Sequence, residues 1–206
     1  MLAERPLLNR ERELGIYGTL AYCLARTLGT MPILVIEPVI SVLITSFMCL
    51  TVRTPTLVAQ LVLITVIGSL AGESLGAFIG SLVKTTPIGI LVGTVIPVAE
   101  WLVIDSDLIQ SAWLHHVSIT NQVLRGSLVA LYSVPQTYVC DSTTFISECQ
   151  NSTYVDQSSM LAYYSPPLSY TSEVFVLLGF SIFYRTLAYV ALRFLHVDSA
   201  VTDKID

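Results

Sequence analysis

Four charged side chains lie inside stretches of sequence that are otherwise apolar: Glu37, Glu73, Glu100 and Arg185. Charges are costly in hydrocarbon, so such residues are usually paired, line a polar path or reach the membrane edge. One alternative is that Arg185 or Arg193 neutralises one of the carboxylates and locks the helices together. The other is that a carboxylate marks a polar point on a substrate or proton path.

The sequence lacks the motifs of several soluble chemistries. It contains no GxxxxGK[ST] phosphate loop, no GxGxxG turn and no HExxH zinc motif. His115 and His116 are adjacent, and adjacent residues on a helix point about 100° apart, so we expect no metal site there. The acidic pI of about 5.1 argues against nucleic acid as a partner. We therefore expect no catalytic residue in this chain.

The composition is typical of a membrane protein. Hydrophobic residues make up 53% of the chain, charged residues only 12%, and the mean hydropathy is +0.72. Four segments are long enough to cross a hydrocarbon core of about 30 Å: residues 28–50, 56–83, 87–104 and 174–195. The third is short and contains Pro97, so we expect a broken or partly re-entrant helix there. The predicted fold is an all-α, polytopic membrane helix bundle.

The basic residues predict how the bundle is oriented, because positively charged loops stay on the cytoplasmic side. With residues 1–27 and the tail 196–206 in the cytoplasm, residues 105–173 form an external loop domain. That orientation leaves only Arg53 and Arg125 outside, and places on the inside Arg5, Arg10, Arg12, Arg26, Lys84, Arg193 and Lys204. We expect a multi-pass protein of the plasma membrane or an endomembrane.

The external loop carries two further signs of a lumenal or extracellular location. Asn151 begins an Asn-Ser-Thr sequon, which is glycosylated only on that side. Cys140 and Cys149 flank eight residues just before it. In an oxidising compartment such a pair closes a small disulfide loop, and two free thiols are the alternative.

Glycine recurs at every fourth residue of the second span, at Gly68, Gly72, Gly76 and Gly80. A stripe without side chains lets a neighbouring helix backbone approach closely, which is how membrane helices associate. We therefore predict a helix-packing face. A permeation path lined by bare backbone is the alternative.

Several motifs together resemble the G-subfamily, or White-type, ATP-binding cassette transporters. RERELGIYGTLAYCLARTLGTMPI is similar to the segment that leads into the third transmembrane helix of that family, and SLGAFIGSL resembles part of its fourth. Trp113-Leu114 followed by Ser118-Ile119 resembles the rim after the fifth helix, and FYRTLAYVALRFL resembles the last. The likeness runs from Arg5 to Leu195 and suggests the C-terminal part of an ABC-2 type membrane domain.

The resemblance implies roles for particular residues. An amphipathic coupling helix would rest on a nucleotide-binding domain through Arg10, Glu11, Arg12, Glu13, Gly15 and Tyr17. The substrate path on a dimer axis would include Ile88, Val92 and Val95. Where the family usually has a small apolar plug, this chain has Glu100 and Trp101, so its upper gate departs from the pattern.

The resemblance also implies partners and a mechanism. We expect ATP and Mg to be bound by a nucleotide-binding domain outside this chain, and the chain to form a homo- or heterodimer with another transporter half. Hydrophobic small molecules would be exported by alternating access. A truncated, non-transporting subunit that regulates full-length relatives by dimerising and a small independent channel or carrier remain alternatives.

Overall fold

The chain folds as a bundle of α-helices in a computed structural model that describes residues 14, 18–49, 54–83, 85–105, 118–132, 137–139, 154–156 and 169–194. In chain order the helices are α1 (Thr19–Cys49), α2 (Pro55–Leu82), α3 (Thr86–Asp105), α4 (Ile119–Leu131) and α5 (Tyr170–Phe194). Between α4 and α5, strands β1 (Thr137–Val139) and β2 (Tyr154–Asp156) pair in antiparallel register. Apart from this short ladder, the predicted all-α bundle is confirmed.

Three of these helices are long and apolar enough to cross a membrane: α1, α2 and α5. The apolar part of α3 is shorter, covering Pro87–Glu100. The expectation of a broken helix at Pro97 is wrong, because α3 continues through this residue to Asp105. Proline also lies inside α1, at Pro32 and Pro38. Neighbouring helices can support such prolines inside membrane helices.

The ends of α2 and α5 carry residues that favour helix termini. Thr54 has an extended backbone at the N-cap of α2, and its side chain accepts a hydrogen bond from the Leu57 amide at 3.4 Å. Pro55 follows in the first helical position, where its missing N–H costs nothing. Helix α5 has Glu173 in its first turn and Arg193 in its last turn. A negative charge at the start and a positive charge at the end are both favourable with the helix dipole.

The core of the bundle lies where α2 packs along α5. Ile64, Ile67 and Ala71 of α2 are buried together with Leu177 of α5 and Ile119 of α4. At one end of this contact the Tyr170 hydroxyl donates a hydrogen bond to the Gln60 carbonyl at 2.8 Å. At the other end the rings of Phe78 and Tyr184 lie 6.2 Å apart. Helices α2 and α5 are therefore tied together over much of their length.

The segment predicted as an external loop, residues 105–173, contains the packed helix α4. Its N-cap is Ser118, whose hydroxyl accepts a hydrogen bond from the Asn121 amide at 3.2 Å. A Cβ on Gly126 would lie 2.8 Å from the Ile64 side chain and 3.5 Å from Cβ of Glu173, so α4 contacts both α2 and α5. The external location of residues 105–173 stays a prediction, and helix α4 within this segment packs on the bundle.

The four glycines of the predicted packing face have different surroundings. Gly68 is buried, and a Cβ there would collide with the Val123 side chain of α4. Gly72 and Gly76 are exposed, with nothing within 4 Å of such a Cβ. Gly80 is buried. Within this chain the glycines therefore do not form one continuous contact: close approach occurs at Gly68 and is not seen at Gly72 or Gly76.

Alanine at position 68 tests this close approach. We expect Gly68→Ala to destabilise the fold by about 1–3 kcal/mol, the usual cost of overpacking, because the added methyl group collides with Val123. Gly72→Ala is the matched control on the same helix and should be neutral or stabilising. The measurement is reversible unfolding in mixed micelles. Equal stabilities for the two variants would contradict the packing of α4 on α2, whereas recovery in Gly68→Ala/Val123→Ala would support it.

Candidate functional site

A polar network joins α2 to α5. Arg185 of α5 donates from Nη2 to Oε2 of Glu73 at 3.0 Å and from Nε to the Ser74 hydroxyl at 2.9 Å. The Ser181 hydroxyl lies 3.1 Å from that of Ser74. Of the pairings that the sequence left open, the structure therefore contains the one between Arg185 and Glu73.

Ser74 orients this network because it is fully buried and its hydroxyl has only one hydrogen. That hydrogen is donated to the Leu70 carbonyl at 2.6 Å, which leaves the oxygen free to accept from Arg185. The guanidinium thus contacts a carboxylate and a hydroxyl on successive residues of α2. The side chains of Arg185 and Glu73 retain 28% and 19% exposure, so the pair lies at the edge of the bundle rather than in its centre.

A second ion pair joins α4 to α5, and sequence reasoning missed it. Arg125 Nε lies 3.6 Å from Oε1 of Glu173, with side-chain exposures of 7% and 2%. Asn121 and Gln122, on the preceding turn of α4, are also buried. Breaking such a buried pair by removing one partner is costly, because it leaves a buried charge uncompensated. The signal available in the sequence was Ser118, a good N-cap residue ahead of a helical segment.

Glu100 holds the N-terminus of α4 against α3. Its Oε2 accepts hydrogen bonds from the Thr120 hydroxyl at 2.7 Å, the Thr120 amide at 3.2 Å and the Ser118 hydroxyl at 3.3 Å. The carboxylate accepts a hydrogen bond from the Thr120 amide, which has no acceptor within the first turn of the helix. Its negative charge also complements the positive end of the helix dipole. Glu100, which the resemblance placed at the upper gate, is therefore hydrogen-bonded to the first turn of α4.

The other proposed path residues lie along α3. Ile88 and Val95 are exposed, at 54% and 55%, and Val92 is half-buried. Trp101 lies in α3, but its side chain is outside the described part of the structure. Glu37 is exposed on α1 and is not part of the network around Arg185.

A cleft of about 300 Å³ opens between α1, α2 and α3. Arg26 of α1 and Glu73 of α2 are its charged lining residues. The rest of the lining is apolar or glycine, and consists of Gly76, Ala77, Ile79, Gly80, Gly89, Ile90 and Gly93. Ile88, Val92 and Val95 are not among the lining residues, so this cleft lies on a different side of α3 from the path implied by the resemblance.

Several predicted sites lie outside the described residues. These are the coupling residues Arg10, Glu11, Arg12, Glu13, Gly15 and Tyr17, the cysteines Cys140 and Cys149, and the sequon residue Asn151. The pairing of Val139 with Tyr154 brings the two ends of the segment 140–153 together. The coupling role, the disulfide and the glycosylation remain predictions.

Two comparisons with known proteins point to membrane transporters. Residues 1–99 match the family described as ABC-2 type transporter. The chain is also 27% identical over 195 residues to ABC transporter G family member 21 of Arabidopsis thaliana, an alignment that covers 92% of this chain. The chain is therefore similar to the ABC-2 type transporters and to a G-family member. It spans 28% of the length of that plant relative. Together with three helices that are long and apolar enough to span a membrane, this similarity indicates an integral membrane protein that resembles the membrane domain of a transporter.

Substitution of Glu73 tests what its ion pair does. We expect Glu73→Gln to lower the free energy of unfolding by about 1–3 kcal/mol, because Arg185 loses its charged partner. The yield of folded protein should fall as a result. The exposed Glu37→Gln should leave the yield unchanged. Yield and elution profile after detergent extraction are the measurements. Normal folding of Glu73→Gln with loss of transport would instead favour a polar point on a substrate or proton path.

Hydrogen exchange tests whether Glu100 holds the first turn of α4. In Glu100→Ala the Thr120 amide loses its acceptor, so we expect faster exchange in residues 119–123 than in the parent protein. Glu100→Gln keeps an acceptor oxygen and should exchange at an intermediate rate. Exchange in the Glu100→Ala protein is then compared between this turn and the middle of α2. Unchanged protection of residues 119–123 would contradict the proposed contact.

Proposed function

We propose that this chain is the membrane-domain part of an ABC exporter, moving lipid-like or amphipathic substrates by alternating access. The observation that carries the proposal is its similarity to a G-family transporter along 92% of its length. ATP hydrolysis would be supplied by a nucleotide-binding domain outside this chain, acting through the segment from Arg10 to Tyr17. The similarity to G-family transporters and the helical fold support this function, and the geometry of the bundle suggests how the helices would move.

Alternating access requires a part that stays rigid and a part that moves against it. Helices α2, α4 and α5 form the more rigid part in this proposal, because two ion pairs and close contacts at Gly68 and Gly126 connect them. Helix α3 is connected differently: residues 83–85 join it to α2 at one end, and Glu100 ties it to α4 near the other. Between these two connections, the cleft separates part of α3 from α2.

Movement of α3 would change access to the proposed substrate path. Ile88, Val92 and Val95 have apolar side chains along this helix, which suits a hydrophobic substrate. Glu100 would mark the outer end of the path, where the family resemblance places the gate. Because its carboxylate binds α4, opening this end would require α3 and α4 to move together or their hydrogen bonds to break.

The exposed carboxylate of Glu37 supports association with a second transporter half. It lies within α1 beside Ile33, Ile36 and Ile40, which are all exposed. A carboxylate facing lipid is costly, whereas one that faces a polar group on another transmembrane helix is stabilised. We therefore propose a homo- or heterodimer in the membrane, with both chain ends in the cytoplasm as the distribution of basic residues predicts.

Charge reversal in the proposed coupling segment tests the function. In an assembly of this chain with a G-family half that carries a nucleotide-binding domain, we expect Arg10→Glu/Arg12→Glu to insert normally. ATP hydrolysis should continue while the ATP-dependent movement of a fluorescent phospholipid falls at least several-fold, because the contact that transmits the motion is lost. Arg5→Glu is the matched control for the added negative charge.

Three other outcomes would argue against the proposal. Unchanged coupling in the double variant would reduce the segment to a charged flank. Transport by this chain alone in ATP-free liposomes would favour an independent channel or carrier. A chain that binds its relative and suppresses the relative's transport would be a regulatory subunit.

A further inference from the structure

Helix α1 carries a carboxyl group near the middle of its span. The helix begins at Thr19 and ends at Cys49, so its midpoint is residue 34, and Glu37 lies about 4.5 Å further along the axis. With the helix centred on the membrane, the edge of the hydrocarbon core is still about 10 Å away. Glutamate lacks the long stem by which lysine and arginine reach that edge. Within the described part of the chain, Glu37 is exposed and makes no hydrogen bond or ion pair, so its carboxyl group needs a partner.

Exposed apolar residues extend this position into a stripe along α1. Ile33, Glu37, Ile40, Ile44 and Phe47 follow one another at intervals of four, three, four and three residues. The four apolar side chains are each more than half exposed. This alternation is the heptad spacing through which two helices pack side by side, with Glu37 at one of the core positions. These five residues are called the α1 seam below.

The α1 seam lies opposite the face of α1 that packs on the bundle. That packed face contains Pro38, Val42 and Ser46, which are buried and spaced four residues apart. Val42 is two residues from both Ile40 and Ile44, which places it about 160° around the helix from each of them. The contacts among the described residues therefore leave the whole seam exposed.

A second copy of the chain provides a partner for Glu37. Two copies of one sequence insert in the same direction, so their α1 helices run parallel. A two-fold axis along the membrane normal then places each residue at the depth of its own counterpart, and Glu37 meets Glu37 of the second copy. Two adjacent carboxyl groups can share one proton, taken up from water, so that one donates a hydrogen bond to the other. Arg185, which is also close to the middle of its span, is already bound to Glu73.

We propose that two copies of this chain associate in the membrane through their α1 seams, with the two Glu37 carboxyl groups hydrogen-bonded to each other. This inference rests on the dimer proposed above and specifies it as a homodimer with α1 at its interface. A single polar residue at a core position fixes the register of two parallel helices, which is the role of Glu37 here. The two-fold axis then passes beside α1, whereas the resemblance placed it beside the path residues of α3.

Cysteine cross-linking tests which face of α1 meets the second copy. On oxidation with copper phenanthroline in native membranes, we expect Ile44→Cys to form a disulfide-linked dimer well above the level that the native cysteines give in the parent protein. Thr45→Cys is the matched control, because it is exposed at nearly the same depth but points about 100° away. Equal cross-linking of the two variants would overturn the proposal. Cross-linking of Val95→Cys without that of Ile44→Cys would also overturn it, because the axis would then lie beside α3.

Substitution of Glu37 tests the carboxyl pair. Association is measured by energy transfer between labelled copies as the protein is diluted with lipid. Glu37→Gln keeps a donor and an acceptor and should associate like the parent, whereas Glu37→Leu should associate about 3- to 10-fold more weakly, the scale of one hydrogen bond between membrane helices. Thr45→Leu, which adds the same apolar side chain outside the seam, should leave association unchanged.

A mixed pair tests whether position 37 meets its own counterpart. Glu37→Lys should not associate with itself, because two ammonium groups would meet, but it should associate with the parent through a lysine–glutamate pair. Unchanged or stronger association of Glu37→Leu would overturn the carboxyl contact, as would a mixed pair no stronger than the Glu37→Lys pair. Neither ATP nor a transported substrate enters these measurements. Their failure would therefore leave the proposed exporter function standing, and loss of that function would leave this interface standing.

Discussion

The constraint on which this bundle depends is the cost of placing an arginine among apolar helices. Arg185 lies on α5 in a segment that is otherwise suited to hydrocarbon, and its guanidinium needs both an opposite charge and hydrogen-bond acceptors. Glu73 and Ser74, adjacent on α2, provide them. Two adjacent residues on a helix project in different directions, so one guanidinium can contact both only if α5 has a particular rotation and height relative to α2.

The other polar contacts extend this arrangement to the rest of the chain. Arg125 and Glu173 connect α4 to α5, and Glu100 connects α3 to α4. Both contacts link helices that are separated by long connections in the sequence: α4 from α5, and α3 from α4. In a membrane, where apolar surfaces gain little by leaving lipid for one another, such contacts and close backbone approach can specify which helices pack together. The cleft lies between the end of α2 and the start of α3.

Much of the bundle was predictable from the sequence, because long apolar segments have few alternatives to spanning helices. The bounds of α2, Pro55–Leu82, differ little from the predicted 56–83. The choice of Glu73 over Glu37 as the partner of Arg185 was not predictable, since it depends on how each helix is rotated in the bundle. The glycine pattern showed where backbones could approach, but not that α4 would fill the space at Gly68.

Helix α4 was missed for a different physical reason. Its buried face includes Asn121, Gln122 and Arg125, and polar residues in a segment rich in serine and threonine usually indicate a solvated loop. Burial of Arg125 becomes favourable only with Glu173, which is distant in sequence. Such long-range compensation is not visible in a local pattern. Similarly, Glu100 could be identified as an unusual charge but not as the acceptor for the first turn of α4.

A double-mutant cycle between Glu73 and Arg185 tests the central claim most directly. The free energy of unfolding is measured in bicelles for the parent protein, Glu73→Gln, Arg185→Gln and the double variant. If the ion pair holds α2 against α5, the double variant will be more stable than the sum of the single effects implies, with a coupling energy of about 0.5–3 kcal/mol. Additive effects, within about 0.5 kcal/mol, would contradict the account.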